Sequence, residues 1–191
     1  MYNEAIKIWR EKNREDLLNK FLVKFIYCSN KIKNYEITFS CVEGIFNGEK
    51  IDSFKGNKKI IKEIESQKKL CENIFNLSKG DVKLKLSIGV IEQVYYVITG
   101  NKLERNLYVS IEKLVKDINS IEINDDNALE AVSYFVCYFQ EISNCDGRVV
   151  RILLNYILVA NHLPPINIFY MDKEKYYLAM DFFIKKIIKL E

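Results

Sequence analysis

The chain has 191 residues, 49% of them hydrophobic, which suits one domain with a sizeable core. Its 29 basic and 26 acidic residues leave a net charge of only +3, too balanced and too evenly spread for a nucleic-acid surface. The longest apolar run, Val149–Ala160, is broken by Arg151 and Asn155 and falls short of a membrane span, so neither nucleic acid nor membrane is an expected partner.

Two prolines, adjacent at Pro164–Pro165, and seven glycines predict a mostly helical chain. The first helix is expected over about 4–28, with Ile6, Trp9, Leu18, Leu22 and Phe25 on its apolar stripe. A turn at Asn30–Asn34 follows, and Thr38 is placed to cap a short helix ending near Gly48. The next helix runs from about Lys58 to Leu77, with Gly80 beyond its end. Another covers about Ser87–Ile98 and stops at Gly100; Asn101–Val109 reads as an extended loop or short strand, and Ser110–Asn119 as a short helix. From Asp125/Asp126 a long helix carries Leu129, Val132, Phe135, Phe139 and Ile142 at three- and four-residue steps. Ser143–Asp146 forms a tight loop, about 146–160 a second long helix, and Asp172–Leu190 a final amphipathic one. The fold class is all-α. Five cysteines without a CxxC pair, a single histidine (His162) and a charged N-terminus point to reduced thiols, no metal site and a cytoplasmic location.

The chemistry concentrates where the second long helix begins, at Asp146-Gly147-Arg148-Val149-Val150-Arg151. The first N–H groups of a helix lack internal partners and its dipole is positive there, so an anion is favoured. Gly147 allows close approach, while Arg148, Arg151 and Asn155 share one polar stripe on an otherwise apolar helix. Two guanidiniums one turn apart call for an anion or a carboxylate between them. Acidic residues elsewhere in the fold could supply it as well as a ligand could.

The stretch YFVCYFQEISNCDGRVVR, Tyr134–Arg151, followed by ILLNYILVANHLPP, resembles the central loop and helix of Fic (Fido-fold) nucleotidyl transferases. That family carries HxFx(D/E)GNGRxxR between two long helices. The resemblance extends to DKEKYYLAMDFF downstream and to the segment from Tyr27 to Ile51 upstream, which is similar to the family's auto-inhibitory (S/T)xxxE(G/N) element. It implies one Fic-like domain over 1–191: a helical bundle with a central two-helix core, N-terminal helices in 1–57 and the core in 58–191. It also implies that Gly147, Arg148 and Arg151 grip the phosphates of a nucleotide or another phosphate-bearing ligand, with Asp146 at the position of the family Asn and Asn155 on the same stripe counted in the binding site, and with ATP and Mg²⁺ as cofactors if the site is active.

Three family features are altered. Counted without gaps from Arg148, Gln140 stands at the family histidine and Asn144 at its metal-binding acid; holding the preceding helix in register puts Ser143 at the histidine instead. Neither residue accepts a proton usefully near neutral pH, and losing a general base typically costs ~10²–10⁴-fold. His162 lies fourteen residues past Arg148, about 21 Å along a helix, too far to replace it. In the inhibitory element, Ser29 and Asn34 match, but Lys33 takes the place of the glutamate and would repel Arg151 if it faced it. The target-docking flap is cut to Asn101–Val109.

The expectation is a catalytically impaired or inactive pseudoenzyme that keeps an anion grip and binds a protein partner or nucleotide. The alternatives are an active AMP or phosphoryl transferase with a non-standard loop, and a helical interaction module whose arginines are structural. The aromatic residues Tyr134, Phe135, Tyr138 and Phe139 read as core or interface, and Tyr176, Tyr177, Phe182 and Phe183 as docking contacts or the seam of a homo-oligomer.

Overall fold

The computed structural model describes residues 2–49, 51, 58–77 and 82–188, with side chains described as far as Met180. Among these residues there are nine α-helices, two short 3-10 turns and no strand. The helices are α1 (Tyr2–Glu11), α2 (Arg14–Ile32), α3 (Phe39–Phe46), α4 (Lys58–Leu77), α5 (Ile88–Thr99), α6 (Tyr108–Ser120), α7 (Ala128–Ser143), α8 (Gly147–Ala160) and α9 (Lys173–Ile188).

Local signals set most of the ends. The Thr38 hydroxyl accepts from Cys41 N and the Ser87 hydroxyl from Val90 N, each satisfying an amide the helix itself leaves unpaired. Gly100, at φ +74°, closes α5 in the left-handed conformation that only glycine adopts without strain. The expected Gly80 stop lies outside the described residues, as does Leu190.

Four expectations need correction. The single N-terminal helix is two helices, because the Asn13 side chain caps Glu15 N and starts α2 afresh. The turn expected at Asn30–Asn34 is helical through Ile32, and Asn34, at φ +65°, makes the turn. Of the extended loop or short strand expected at Asn101–Val109, only 101–104 is loop: Arg105–Leu107 forms a 3-10 turn that runs into α6 at Tyr108. The helix expected from Asp125 starts at Ala128, since the Asn124 side chain accepts from Asp126 N and Asn127 N and holds those residues in a turn.

α8 is the axis of the bundle. Every residue from Arg148 to Ala160 is buried, against α7, α5, α4 and α2. On α7, Phe135 and Phe139 stack inward and are fully buried, whereas Tyr134 and Tyr138 are half-buried and Leu129 faces outward. Asn30 on α2 and Gln67 on α4 exchange a reciprocal pair of side-chain hydrogen bonds, 2.8 and 3.2 Å, that fixes these helices beside the start of α8. At the other end, Leu84 N donates to Ala160 O and the Asn119 amide pairs with both backbone groups of Leu86, strapping residues 82–86 across the end of α8. The five cysteines are free thiols. Among the described residues no helix is long and apolar enough to cross a membrane.

Candidate functional site at the tip of helix α8

The loop between α7 and α8 is Asn144–Asp146, entered through Asn144 in a left-handed conformation at φ 43°. Its backbone is held from α7: Asn144 N donates to Gln140 O, and the Gln140 amide donates to Cys145 O at 3.1 Å. The Ser143 hydroxyl donates to Phe139 O at 2.6 Å. Both residues that could stand at the family histidine are therefore engaged by backbone carbonyls, Gln140 in the loop and Ser143 within its own helix. His162, at φ +62°, lies beyond the far end of α8 with Nδ1 3.3 Å from Arg14 Nη1.

Asp146 dominates the tip. Its Oδ1 accepts from Arg148 N and Arg148 Nε, each at 3.0 Å; its Oδ2 accepts from Arg148 Nη2 at 2.9 Å and Lys33 Nζ at 3.1 Å. A carboxylate offers about four lone-pair positions, and these four donors use them all. Burial by itself would raise the Asp146 carboxyl. The hydrogen bonds and charge of Arg148, helped by Lys33, outweigh it and bring the pKa down to about 2. Arg148 is only 4% exposed, and its remaining Nη1 reaches Asn30 Oδ1 and Glu63 Oε2, both at 3.3 Å. Glu63 also accepts from the Tyr35 hydroxyl at 2.6 Å, and the Arg148 guanidinium lies 4.9 Å above the Tyr35 ring. Desolvation works against the Arg148 charge, yet the two carboxylates raise its pKa overall.

Arg151, 2% exposed, turns to α2 instead: its Nε donates to the Ser29 hydroxyl at 2.9 Å and its Nη2 to Ser29 O at 3.0 Å. Its Nη1 is buried without a hydrogen bond and lies over Gly147, where an added Cβ would come within 2.9 Å of it. An alanine at 147 would have to push the end of the Arg151 side chain aside. Desolvation lowers the Arg151 pKa, and burial raises the hydroxyl of Tyr176, its neighbour on α9.

The structure thus brings Asp146, Gly147, Arg148, Arg151, Ser29 and Lys33 together and turns Asn155 away. Asn155 is 1% exposed, donates to Arg151 O and accepts from Ile166 N at 2.7 Å, pinning the chain after Pro165. Asn34 lies outside the cluster, accepting from Lys173 Nζ at 3.1 Å. Lys33 does not oppose Arg151, as its position in the sequence suggested, because Asp146 draws it to the other arginine. Glu63, Tyr35, Asn30 and Gln67 were missed. Nothing in IKEIESQKK separates Glu63 from the solvated acids beside it, and the sequence around Asn30 predicts a turn.

A magnesium–nucleotide complex does not fit this arrangement. The one carboxylate in the loop is saturated by cations, and a metal ion there would meet Lys33 and Arg148 at contact distance. Among the described residues there is no group of three or more ligating side chains suited to a metal.

Comparison of the sequence with protein-family models and with curated proteins gives no match. Comparison with solved structures does: a crystal structure of a Fic domain containing signalling protein from Bacteroides thetaiotaomicron superposes with a TM-score of 0.76 at 19% identity, over 94% of this chain and 79% of that one. The chain has the Fic fold, all-α and built on the two-helix core of α7 and α8.

Proposed function

We propose that this chain is a catalytically silent Fic-fold protein that acts by binding rather than by nucleotidyl transfer. The observation that carries the reading is the state of Asp146. Where a transferase of this fold would seat a phosphate against its first arginine, this chain seats its own carboxylate, with all four acceptor positions taken. The residues at the histidine position, Ser143 and Gln140, are engaged by backbone carbonyls. The grip for an anion is retained in its geometry but is filled from within.

A protein partner is the favoured ligand. Met171 and Leu178, 78% and 68% exposed, and the half-exposed Phe169 and Tyr177 lie on the 3-10 turn Tyr170–Asp172, the residue before it and the first half of α9. Apolar side chains that gather outside the core mark interaction surfaces more often than isolated ones do.

The test is an intact-mass assay of the purified protein with ATP and Mg²⁺, using itself and a cell lysate as acceptors, together with ATP titration. The expected result is no gain of AMP or phosphate mass and no saturable ATP binding. A second reading, a nucleotide-binding pseudoenzyme, draws on the buried Arg151 Nη1 that lacks an acceptor. Saturable ATP binding that disappears in Arg148→Ala and Arg151→Ala would favour it. Transfer at the rate of an intact Fic enzyme would sink both readings.

A further inference from the structure

At the opposite end of α8 from the charged tip, a cavity of about 160 Å³ lies between the strap 82–86, the end of α6 and the last turn of α8. At 1.5 Å per residue its α8 lining, Tyr156 to Ala160, lies roughly 14–20 Å from Gly147, and it shares no residue with the site above. Its walls are mostly apolar, built from Leu84 and Leu86 on the strap, Ile118 on α6 and Ile157 on α8. By comparison, an apolar cavity of about 150 Å³ accommodates a benzene ring.

The polar part of the lining sets the class of ligand. Tyr156 lines the cavity and is 3% exposed, yet no described residue hydrogen-bonds its hydroxyl. Its hydroxyl oxygen keeps some access to solvent, so a group entering the cavity can reach it. Asn119, also in the lining, is fully used by Leu86, and the carbonyls at the end of α8 are already capped, Ala160 O by Leu84 N and Ile157 O by the Asn161 amide. The donors left over are the Tyr156 hydroxyl and the ammonium groups of Lys83, which spends one bond on Ile123 O, and Lys85. Only one carboxylate, Glu122, stands among them. The lining is rich in donors and carries net positive charge around a ring-sized apolar space.

We propose that this cavity is a binding site for a small monocarboxylate of about one ring, its apolar body between Leu84, Leu86, Ile118 and Ile157 and its carboxylate received by the Tyr156 hydroxyl and the lysine ammonium groups. Burial raises the Tyr156 pKa, which keeps the hydroxyl protonated as the donor this requires. Because α8 connects this cavity to the tip without sharing a side chain, the site operates whether or not the chain transfers nucleotides.

The experiment is a fluorine NMR titration of 4-fluorobenzoate against the full chain. Alongside it run 4-fluorobenzyl alcohol as the neutral analogue, and the variants Tyr156→Phe, which keeps the ring, and Leu86→Trp, which fills the space. Circular dichroism confirms that each variant is folded. Saturable binding of 4-fluorobenzoate is expected, weakened about tenfold in Tyr156→Phe by loss of one charge-assisted hydrogen bond. It should be abolished in Leu86→Trp, weaken in high salt and exceed that of the alcohol. No saturable binding up to the solubility limit, equal binding to Tyr156→Phe, or preference for the alcohol would each overturn the proposal. If Leu86→Trp fails to fold, the tyrosine variant and the alcohol decide the matter.

Discussion

The two ends of α8 solve opposite problems. At the N-terminal tip, two arginines, a lysine and a helix dipole of one sign converge, and the chain supplies the compensating carboxylates itself, from Asp146 and, across the bundle, Glu63. At the C-terminal end the carbonyls are capped, Ala160 O by the strap and those of Ile157, Leu158 and Val159 by residues 161–163, but a tyrosine hydroxyl and ring-sized space are left over. The end with the most conspicuous sequence is closed around Arg148, with one Arg151 nitrogen left over, and the end without a motif keeps a tyrosine hydroxyl open to the cavity. Charge density in a sequence is a poor guide to where a ligand can enter, because burying a charge favours partners from the chain itself, a carboxylate pair for Arg148 and the Ser29 oxygens for Arg151.

Removing the carboxylate at the tip should have the largest effect. Asp146→Ala leaves Arg148 buried with only Glu63 and Asn30, and should cost about 3 kcal/mol in chemical denaturation. If a phosphate can take the vacated place, inorganic phosphate will raise the melting temperature of this variant and leave the parent unmoved. A variant as stable as the parent would break the contrast between the ends. Acid titration probes the same carboxylate without a mutation. Its folded pKa, about 2, lies below the ordinary value of 3.8, so its contribution is complete above about pH 5 and is lost as pH falls through 2. The loss should be on the order of 2 kcal/mol, and Asp146→Asn should remove that part of the pH dependence.

Gly147→Ala pushes a methyl group toward Arg151 Nη1 and should cost about 1–2 kcal/mol, despite alanine's better helix propensity. Lys33→Ala breaks a pair whose lysine is half exposed, and less than about 1 kcal/mol should be lost in the same assay. Smallest of all, Tyr156→Phe removes a hydroxyl with no partner and should change stability by no more than about 0.5 kcal/mol, whatever it does to ligand binding. A larger loss would mean that the cavity end is as internally satisfied as the tip.

Helix positions were legible in the sequence wherever periodicity and caps agreed, as at Thr38, Ser87 and Gly100. They were misread where a cap interrupts a continuous stripe: Asn13 divides α1 from α2 although Ile6, Trp9, Leu18 and Leu22 all reach the core. At the site, Arg148, Arg151 and Asn155 share one helix face, and that much followed from their spacing. Their partners did not follow. Asn30 and Glu63 lie 118 and 85 residues from Arg148 in sequence, and Ser29 lies 122 from Arg151, so only the packing of α2 and α4 shows that one polar stripe performs three separate jobs.

The complete burial of α8 carries a dynamic consequence. With neighbours on every side and strapped ends, none of its turns can open to solvent unless the surrounding helices separate first. In deuterated buffer the amide protons between Ile152 and Ala160 should therefore exchange last, through whole-molecule unfolding, while those of α1 at the N-terminal edge exchange by fraying.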